Sequence, residues 1–371
     1  MVVAEGKIPI GVLGTGDVAL RSYFPALASI QDLVQVVAVS DLDEARARRG
    51  VDACASWSPG AAAYTDHRQL LTHPGLEAVI NLTPVPSHSE VNTAALAAGI
   101  HVLSEKPIAT TLEDTDRLID EAEKAGKLLL AAPGIAATPL VRWLHELTTS
   151  GRLGHPTVAT GRFGGLGPAG WRDYSGDPSV FYSEAVGPMV DQGVYLLHTL
   201  TALFGPVRRL QSLGGITVPE RASVSKNAMG QRVEVRSADV LLVNLAFGDG
   251  VFAQVFSSFA APASACPTLE LHFSKGTVSV PDIVSAVAHV DMYETDPSAL
   301  GLEGWRRGLV PPGSDPGVGT VGRAAVHFVR CLAGLDEPVL TGKHSRHVFE
   351  VMTTAKALAG TGASALITST F

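Results

Sequence analysis

Apolar residues in the first third of the chain fall in short runs that alternate with amphipathic stretches. Residues 8–13 are a brief apolar run ending in glycines, and residues 18–30 then carry apolar side chains at helical spacing. Residues 35–40 (Gln-Val-Val-Ala-Val-Ser) are rich in β-branched side chains and read as a strand, as do residues 78–82 and 101–103. Residues 88–98 read as a helix stopped by Gly99. Thr111 opens a helix over 112–125, with Asp114 placed close to a capping box. Gly126 ends that helix, and residues 128–132 follow as a strand. Strand, helix, strand in this rhythm predicts a doubly wound parallel sheet.

Past about residue 151 the rhythm changes. Residues 157–163, 210–218, 238–246, 251–258, 269–273 and 277–280 read as strands without helices between most of them. Gly248-Asp249-Gly250 has the chemistry of a hairpin turn. Such a succession predicts a mainly antiparallel sheet. Helices are expected over 188–204, 323–335 and 345–359. The fold class is therefore α/β: a parallel-sheet domain over 1–132, then an α+β domain with a large sheet over 133–371. The last helix is free to pack back on the first domain.

Composition narrows the classes. The chain has 371 residues, and at roughly 150 per domain that suggests two domains. Hydrophobic residues make up 46% and charged ones 17%, the reverse of what disorder needs. The charge of −8 comes with no Lys/Arg block, which argues against nucleic acid. No apolar run approaches the roughly 18–20 residues of a membrane helix, and the first residues lack the pattern of a leader. A cytoplasmic location is the expectation. Cys54, Cys266 and Cys331 are isolated and form neither a disulfide framework nor a zinc-type spacing. His344 with His347, and Asp291 with Glu294, lack a convincing third ligand, so no metal is expected.

Gly14-Thr15-Gly16-Asp17-Val18-Ala19 directly follows the first strand and opens a helix. The first glycine permits the tight turn, the second lets backbone approach a pyrophosphate, and the alanine lets helix and strand pack closely. The helix start presents N–H groups to the phosphates. Asp41 follows the second strand, where an acid binds the ribose hydroxyls of an adenosine. It is alternatively a cap for a helix over 42–48. An acid there repels a 2′-phosphate and favours NAD over NADP, although Arg46, Arg48 and Arg49 nearby weaken the preference.

Thr83-Pro84-Val85-Pro86-Ser87-His88 and Glu105-Lys106-Pro107 each follow a strand, so both should border the nicotinamide. Together with the glycine loop they resemble the glucose–fructose oxidoreductase / inositol dehydrogenase family, Gfo/Idh/MocA. The likeness extends through Ala63-Tyr64-Thr65-Asp66, Ala97-Ala98-Gly99, Ser150-Gly151-Arg152-Leu153-Gly154 and residues 187–195, and so covers nearly the whole chain. The resemblance implies an NAD(P)-dependent oxidoreductase. Lys106 would be catalytic or substrate-orienting, preceding a proline that follows a cis bond. Asp191 and, four residues on, Tyr195 would meet the substrate. Cofactor contacts would come from Gly14, Thr15, Gly16, Asp17, Val18, Asp41, Thr83, Pro84, His88, Glu105 and Lys106.

Chemistry agrees with this assignment. A lysine beside a nicotinamide cation should have a lowered pKa, and could shuttle the proton of a sugar hydroxyl or carbonyl. Asp191, Tyr195 and His198 share a helix face; for His198 a catalytic role and a core role stand equal. Many relatives carry an arginine-containing segment after the last strand of the first domain. Residues 131–137 (Ala-Ala-Pro-Gly-Ile-Ala-Ala) carry none. The pocket there is either less polar or completed by residues 171–184, which hold Trp171, Arg172, Tyr174 and Tyr182 as candidate substrate contacts. Aromatic faces beside carboxylates suit a carbohydrate ring.

Three functions remain in play. The first is hydride transfer between NAD(P) and a secondary alcohol or ketone of a sugar, cyclitol or glycoside. The second keeps NAD bound and uses transient oxidation for glycoside cleavage or epimerisation. The third is a non-catalytic NAD-binding sensor. A homodimer or homotetramer is expected, because few helices follow the second sheet to cover its open face.

Overall fold

The computed structural model describes residues 6–285, 289–295, 304–314 and 317–371. Its first layer is a six-stranded parallel sheet built from β1 (Ile8–Leu13), β2 (Val34–Ser40), β3 (Ala62–Tyr64), β4 (Ala78–Asn81), β5 (His101–Ser104) and β6 (Leu129–Ala131). The order is β3-β2-β1-β4-β5-β6, and every adjacent pair is parallel. The order reverses between β1 and β4, which places the ligand crevice beyond their carboxyl ends. All four residues of β4 are buried, as a strand covered on both faces requires.

Helices cover both faces: α1 (Phe24–Ala28), α2 (Glu44–Cys54), α3 (His67–Leu70), α4 (His88–Ala97) and α5 (Leu112–Ala125). Where one amphipathic helix was expected over 18–30, a π-type turn, Ala19–Tyr23, runs into α1. The cap chemistry of α5 is as read: Thr111 accepts the Asp114 N–H, and Gly126 closes the helix in the left-handed region at φ 64°. β3, which precedes a turn at Asp66, adds an edge strand that no hydrophobic run announced.

The chain then passes through a tight 3-10 turn, Gly134–Ala137, into α6 (Pro139–Thr149). The second sheet has nine strands: β7 (Pro156–Gly164), β8 (Arg209–Gly215), β11 (Val240–Ala246), β12 (Phe252–Ser258), β13 (Leu269–Phe273), β14 (Gly276–Val280), β15 (Val290–Glu294), β16 (Gly304–Leu309) and β17 (Ser364–Leu366). A separate ribbon pairs β9 (Glu220–Ala222) with β10 (Arg232–Glu234). The large sheet is antiparallel except where β7 lies parallel to β12. Asp249, at φ 54°, turns the β11–β12 hairpin.

One face of this sheet is packed by α6, α7 (Val194–Phe204) and α9 (Gly342–Leu358) around a core that includes Leu196, Leu200, Val243 and Val255. Alternate residues on the other face remain open, among them Val158, Leu213, Leu242 and Phe252. The two layers share material. Ala324 and Phe328 of α8 (Arg323–Leu332) and Leu340 complete the core under the first sheet. Ala131 N–H donates to Leu340 O, and Arg346 of α9 pairs with Asp116 of α5. Among the described residues no helix is long and apolar enough to cross a membrane.

Candidate active site

The site lies on the carboxyl edge of the first sheet. β1 ends at Leu13, and Gly14 turns the chain at φ 88°. A Cβ on Gly14 would stand 2.6 Å from Leu82 O, so only glycine lets the loop lie against the end of β4. A Cβ on Gly16 would meet nothing within 4 Å, leaving backbone open to an incoming group. The loop then enters the turn Ala19–Tyr23. Asp41 is held beside it: Oδ2 accepts from Thr15 N (3.0 Å) and Thr15 Oγ1 (3.1 Å), and Oδ1 accepts from Asp43 N (3.1 Å). Asp43, not Asp41, caps α2. An open cradle at a helix start beside a fixed acid fits a dinucleotide.

The two turns beyond β4 and β5 are tied together by buried polar side chains. Asn81 Oδ1 accepts from Thr83 N (3.1 Å) and Thr83 Oγ1 (2.7 Å). Asn81 Nδ2 donates to Asn92 Oδ1 at 2.8 Å, and Asn92 Nδ2 donates to Ser104 Oγ at 3.0 Å. His88 staples the same turns: Nδ1 lies 2.7 Å from Pro107 O, and Nε2 lies 2.8 Å from Thr83 O. It is 1% exposed with both ring nitrogens engaged, so it shapes the crevice through backbone and does not reach a cofactor. That corrects its placement among the direct cofactor contacts.

Lys106 follows β5, and its peptide bond to Pro107 is cis. Its Nζ lies 3.6 Å from Asp191 Oδ1, with both side chains largely buried. Asp191 sits on a π-type turn, Met189–Gly193, that leads into α7. The turn is pinned under the sheet, where Ser257 Oγ donates to Pro188 O at 2.8 Å. Asp191 Oδ2 and Gln192 Oε1 are buried and have no hydrogen-bond partner among the described residues. Tyr195 follows one turn later and rests its ring 6.2 Å from that of Phe163.

Burial pushes Lys106 down, but the charges of Asp191, Tyr195 and Glu105 and the hydrogen bond to Asp191 outweigh it, so its pKa is raised. The lowered value expected from a neighbouring nicotinamide is therefore not a property of the protein itself. Burial pushes the Asp191 carboxyl up, against the pull of Lys106. The raised value keeps Lys106 in its ammonium form. Burial also drives Tyr195 up to about 12.

Other candidates are placed elsewhere. His198 is 2% exposed and packs edge-on against His344, with ring centroids 4.8 Å apart. Burial, then His344 and His347, hold it well below its ordinary pKa. It is a neutral core histidine on the α7–α9 contact, not a partner of Lys106. Tyr182 is 1% exposed; its Oη donates to Leu166 O and accepts from Ala169 N, which removes it from the substrate contacts. Trp171 and Arg172 are exposed. Burial and then the charges of Asp191, Asp177 and Asp17 push Tyr174 up, and the neighbouring Ser175 Oγ donates to Asp17 Oδ2, which ties this segment to the glycine loop. The apolar stretch after β6 has a packing cause: a Cβ on Gly134 would stand 2.4 Å from Ala324 N of α8. At the pairs noted in the sequence, Asp291 and Glu294 engage Arg307 and Arg152, and His344 bonds Thr201.

Sequence reasoning missed Tyr23, Asn81, Asn92 and Ser104. The available signal was polar side chains ending apolar strands or interrupting the apolar stripe of a helix, all of which are fully buried.

Residues 8–132 match the family model described as oxidoreductase family, NAD-binding Rossmann fold, and residues 141–279 match the GFO/IDH/MocA C-terminal domain. An uncharacterized oxidoreductase of Rhizobium meliloti is 30% identical over 203 residues, 53% of this chain and 56% of that one. A D-xylose 1-dehydrogenase (NADP(+)) of Haloferax volcanii is 28% identical over 253 residues, 68% of this chain and 70% of that one. In fold, the structure of levoglucosan dehydrogenase with NADH and levoglucosan superposes with a TM-score of 0.79 at 17% identity, covering 98% of this chain and 100% of that one. A reversed-order parallel sheet, a glycine cradle with its acid, and two family models spanning most of the sequence agree: the chain belongs to the Gfo/Idh/MocA family of NAD-binding oxidoreductases.

Proposed function

We propose that the protein interconverts a secondary alcohol and its ketone on a sugar, cyclitol or glycoside, with NAD preferred over NADP. The observation that carries this reading is the convergence of Lys106, Asp191 and Tyr195 in one buried cluster on the sheet edge that holds the glycine loop. A bound nicotinamide would supply or accept the hydride. Beside a bound nicotinamide cation Lys106 would be lowered toward its neutral amine, which takes the hydroxyl proton on oxidation, and in the reverse direction the ammonium returns that proton to the oxygen as the ketone is reduced. Tyr195, neutral up to about 12, orients that oxygen through its O–H. Asp191 stabilises the ammonium form of Lys106 and offers Oδ2 to a substrate hydroxyl. Tyr174, on the segment tied to the glycine loop, presents a ring face to the C–H side of a sugar. Relatives named for xylose and levoglucosan support the substrate class.

The preference for NAD rests on Asp41, fixed by Thr15 and Asp43. Two nearby arginines are occupied by their own helix: Arg48 pairs with Glu44 at 2.7 Å and Arg46 with Asp43 at 3.9 Å. We also assign the open face of the large sheet to a second copy of the chain, and the division of labour to residues 1–132 for cofactor and 133–371 for substrate.

A panel of sugars, cyclitols and glycosides assayed for NADH absorbance tests the reading. Stoichiometric NADH formation from one of them is expected. Conversion without net NADH would instead favour transient oxidation with retained NAD, and no conversion in either direction would favour a sensor.

A further inference from the structure

We infer that Tyr23, acting through Glu105, is a positioning residue that fixes the lysine turn to the cofactor-binding element. Tyr23 lies on the π-type turn Ala19–Tyr23, directly after the glycine loop, and is fully buried. Its Oη donates to Glu105 Oε1 at 2.7 Å. The other oxygen, Glu105 Oε2, accepts the Lys106 N–H at 2.9 Å. One carboxylate therefore joins the element that cradles the phosphates to the backbone of the residue that handles the proton.

This arrangement acts on both geometry and charge. Glu105 and Lys106 are neighbours in sequence, and without a second anchor the Glu105 side chain is free to turn away from the lysine. The tyrosine supplies that anchor from a different element, 82 positions away in sequence. The tyrosine O–H thereby holds the Glu105 carboxylate beside Lys106. Glu105 is one of the charges that hold Lys106 up, so the hydroxyl of Tyr23 sustains the ammonium form of Lys106 at one remove. Tyr23 itself stays a neutral donor, because burial and then Glu105 push its pKa well above the ordinary value. The ring packs with Ala19, Phe24 and Leu27, contacts that phenylalanine reproduces. The hydroxyl is thus separable from the packing.

The inference rests on the reading of Lys106 as the proton-handling residue, and the test separates the two. Protein carrying ¹³C-labelled lysine, with Lys106 assigned from Lys106→Arg, is titrated by NMR in wild type, Tyr23→Phe and Glu105→Gln. NAD⁺ and NADH affinities and melting temperatures are measured alongside. In both Tyr23→Phe and Glu105→Gln the Lys106 titration should move to lower pH, and in Tyr23→Phe NADH affinity should stay within about twofold of wild type. Turnover of the sugar identified by the panel should fall about 10-fold or more, as misplacement of a reacting group does. The Tyr23→Phe/Glu105→Gln double variant should titrate like Glu105→Gln alone. An unmoved Lys106 titration in folded Tyr23→Phe overturns the inference, as does a loss confined to NADH affinity. Should Tyr23→Phe not fold, an unmoved titration in Glu105→Gln overturns it equally. Full turnover in Lys106→Ala would overturn the functional reading instead, and leaves the titration result standing.

Discussion

Asp41 shows how one residue type can be right for two reasons. Read in sequence it was either a ribose ligand or a helix cap. In the structure the cap is Asp43, while Asp41 ties its carboxylate to Thr15 in the glycine loop. A carboxylate so fixed would repel a 2′-phosphate, which is the ground for the proposed preference for NAD. Asp41→Ser should therefore narrow the preference for NAD, measured as the ratio of kcat/KM with NAD⁺ to that with NADP⁺. A wild type that works better with NADP⁺ would contradict the role given to Asp41. The chemistry-bearing residues were legible because their spacing is local: a glycine loop after a strand, a lysine before a turn proline, and an aspartate four residues from a tyrosine. Their charge states were not. Lys106 is raised by Asp191, 85 positions away, a contact to which the family resemblance points and no local pattern does.

Elements read from the chain hold where their signals are local and blur where tertiary packing decides. α5 has its threonine cap and closing glycine, and starts and stops where these lie. The helix expected over 188–204 begins instead with the π-type turn Met189–Gly193, because Gly193 presses against β12: a Cβ there would stand 3.2 Å from Ser257 Oγ. Such bulges re-aim side chains, and this one delivers Asp191 to Lys106. α6, β15 and the edge strand β16 were not read at all, the strands being short or lacking clear alternation.

The α7–α9 contact has an acid-sensitive consequence. His344 and His347 are held at about 4 by burial first, and His198 well below its ordinary value. Unfolded histidines titrate near ~6.5, so between there and about 4 the unfolded chain binds more protons. The stability these residues contribute is present above that window and is lost as pH falls through it. Melting temperature should accordingly drop as pH is lowered from ~6.5 toward ~4. Asp336, held at about 2, loses its contribution only below the ordinary carboxylate range, so the two effects separate in pH. A melting temperature that stays level across the histidine window would contradict this account of the cluster.

At the scale of the whole molecule, two sheets share one set of closing helices. α8 and Leu340 fill the core beneath the first sheet although they come from the far end of the chain, so cutting at residue 132 would expose that core. The sequence rhythm locates the change of architecture and leaves the last helix free to pack back, which it does through contacts such as Arg346 with Asp116, 230 positions apart, whereas nothing local announces the return of α8. The open face of the large sheet carries Leu213 at 58% and Phe252 at 52% exposure, a broad apolar surface on long paired strands. A second copy laid on that face would bury it. Light scattering at micromolar concentration should give a multiple of the 38.6 kDa chain, and Phe252→Asp should shift it toward the monomer. A wild-type monomer would remove the assignment of this face.

The central claim is that cofactor binding and proton handling are separate, the first in the glycine loop and Asp41, the second in Lys106. The most direct measurement is stopped-flow hydride transfer with Lys106→Ala, paired with an NAD titration of the same variant. The account predicts a rate lower by ~10²–10⁴-fold, as loss of a positioned acid or base gives, with NAD affinity largely intact. Tyr195→Phe should cost less if that residue orients the oxygen. Near wild-type hydride transfer in Lys106→Ala, with the protein folded and NAD bound, would contradict it.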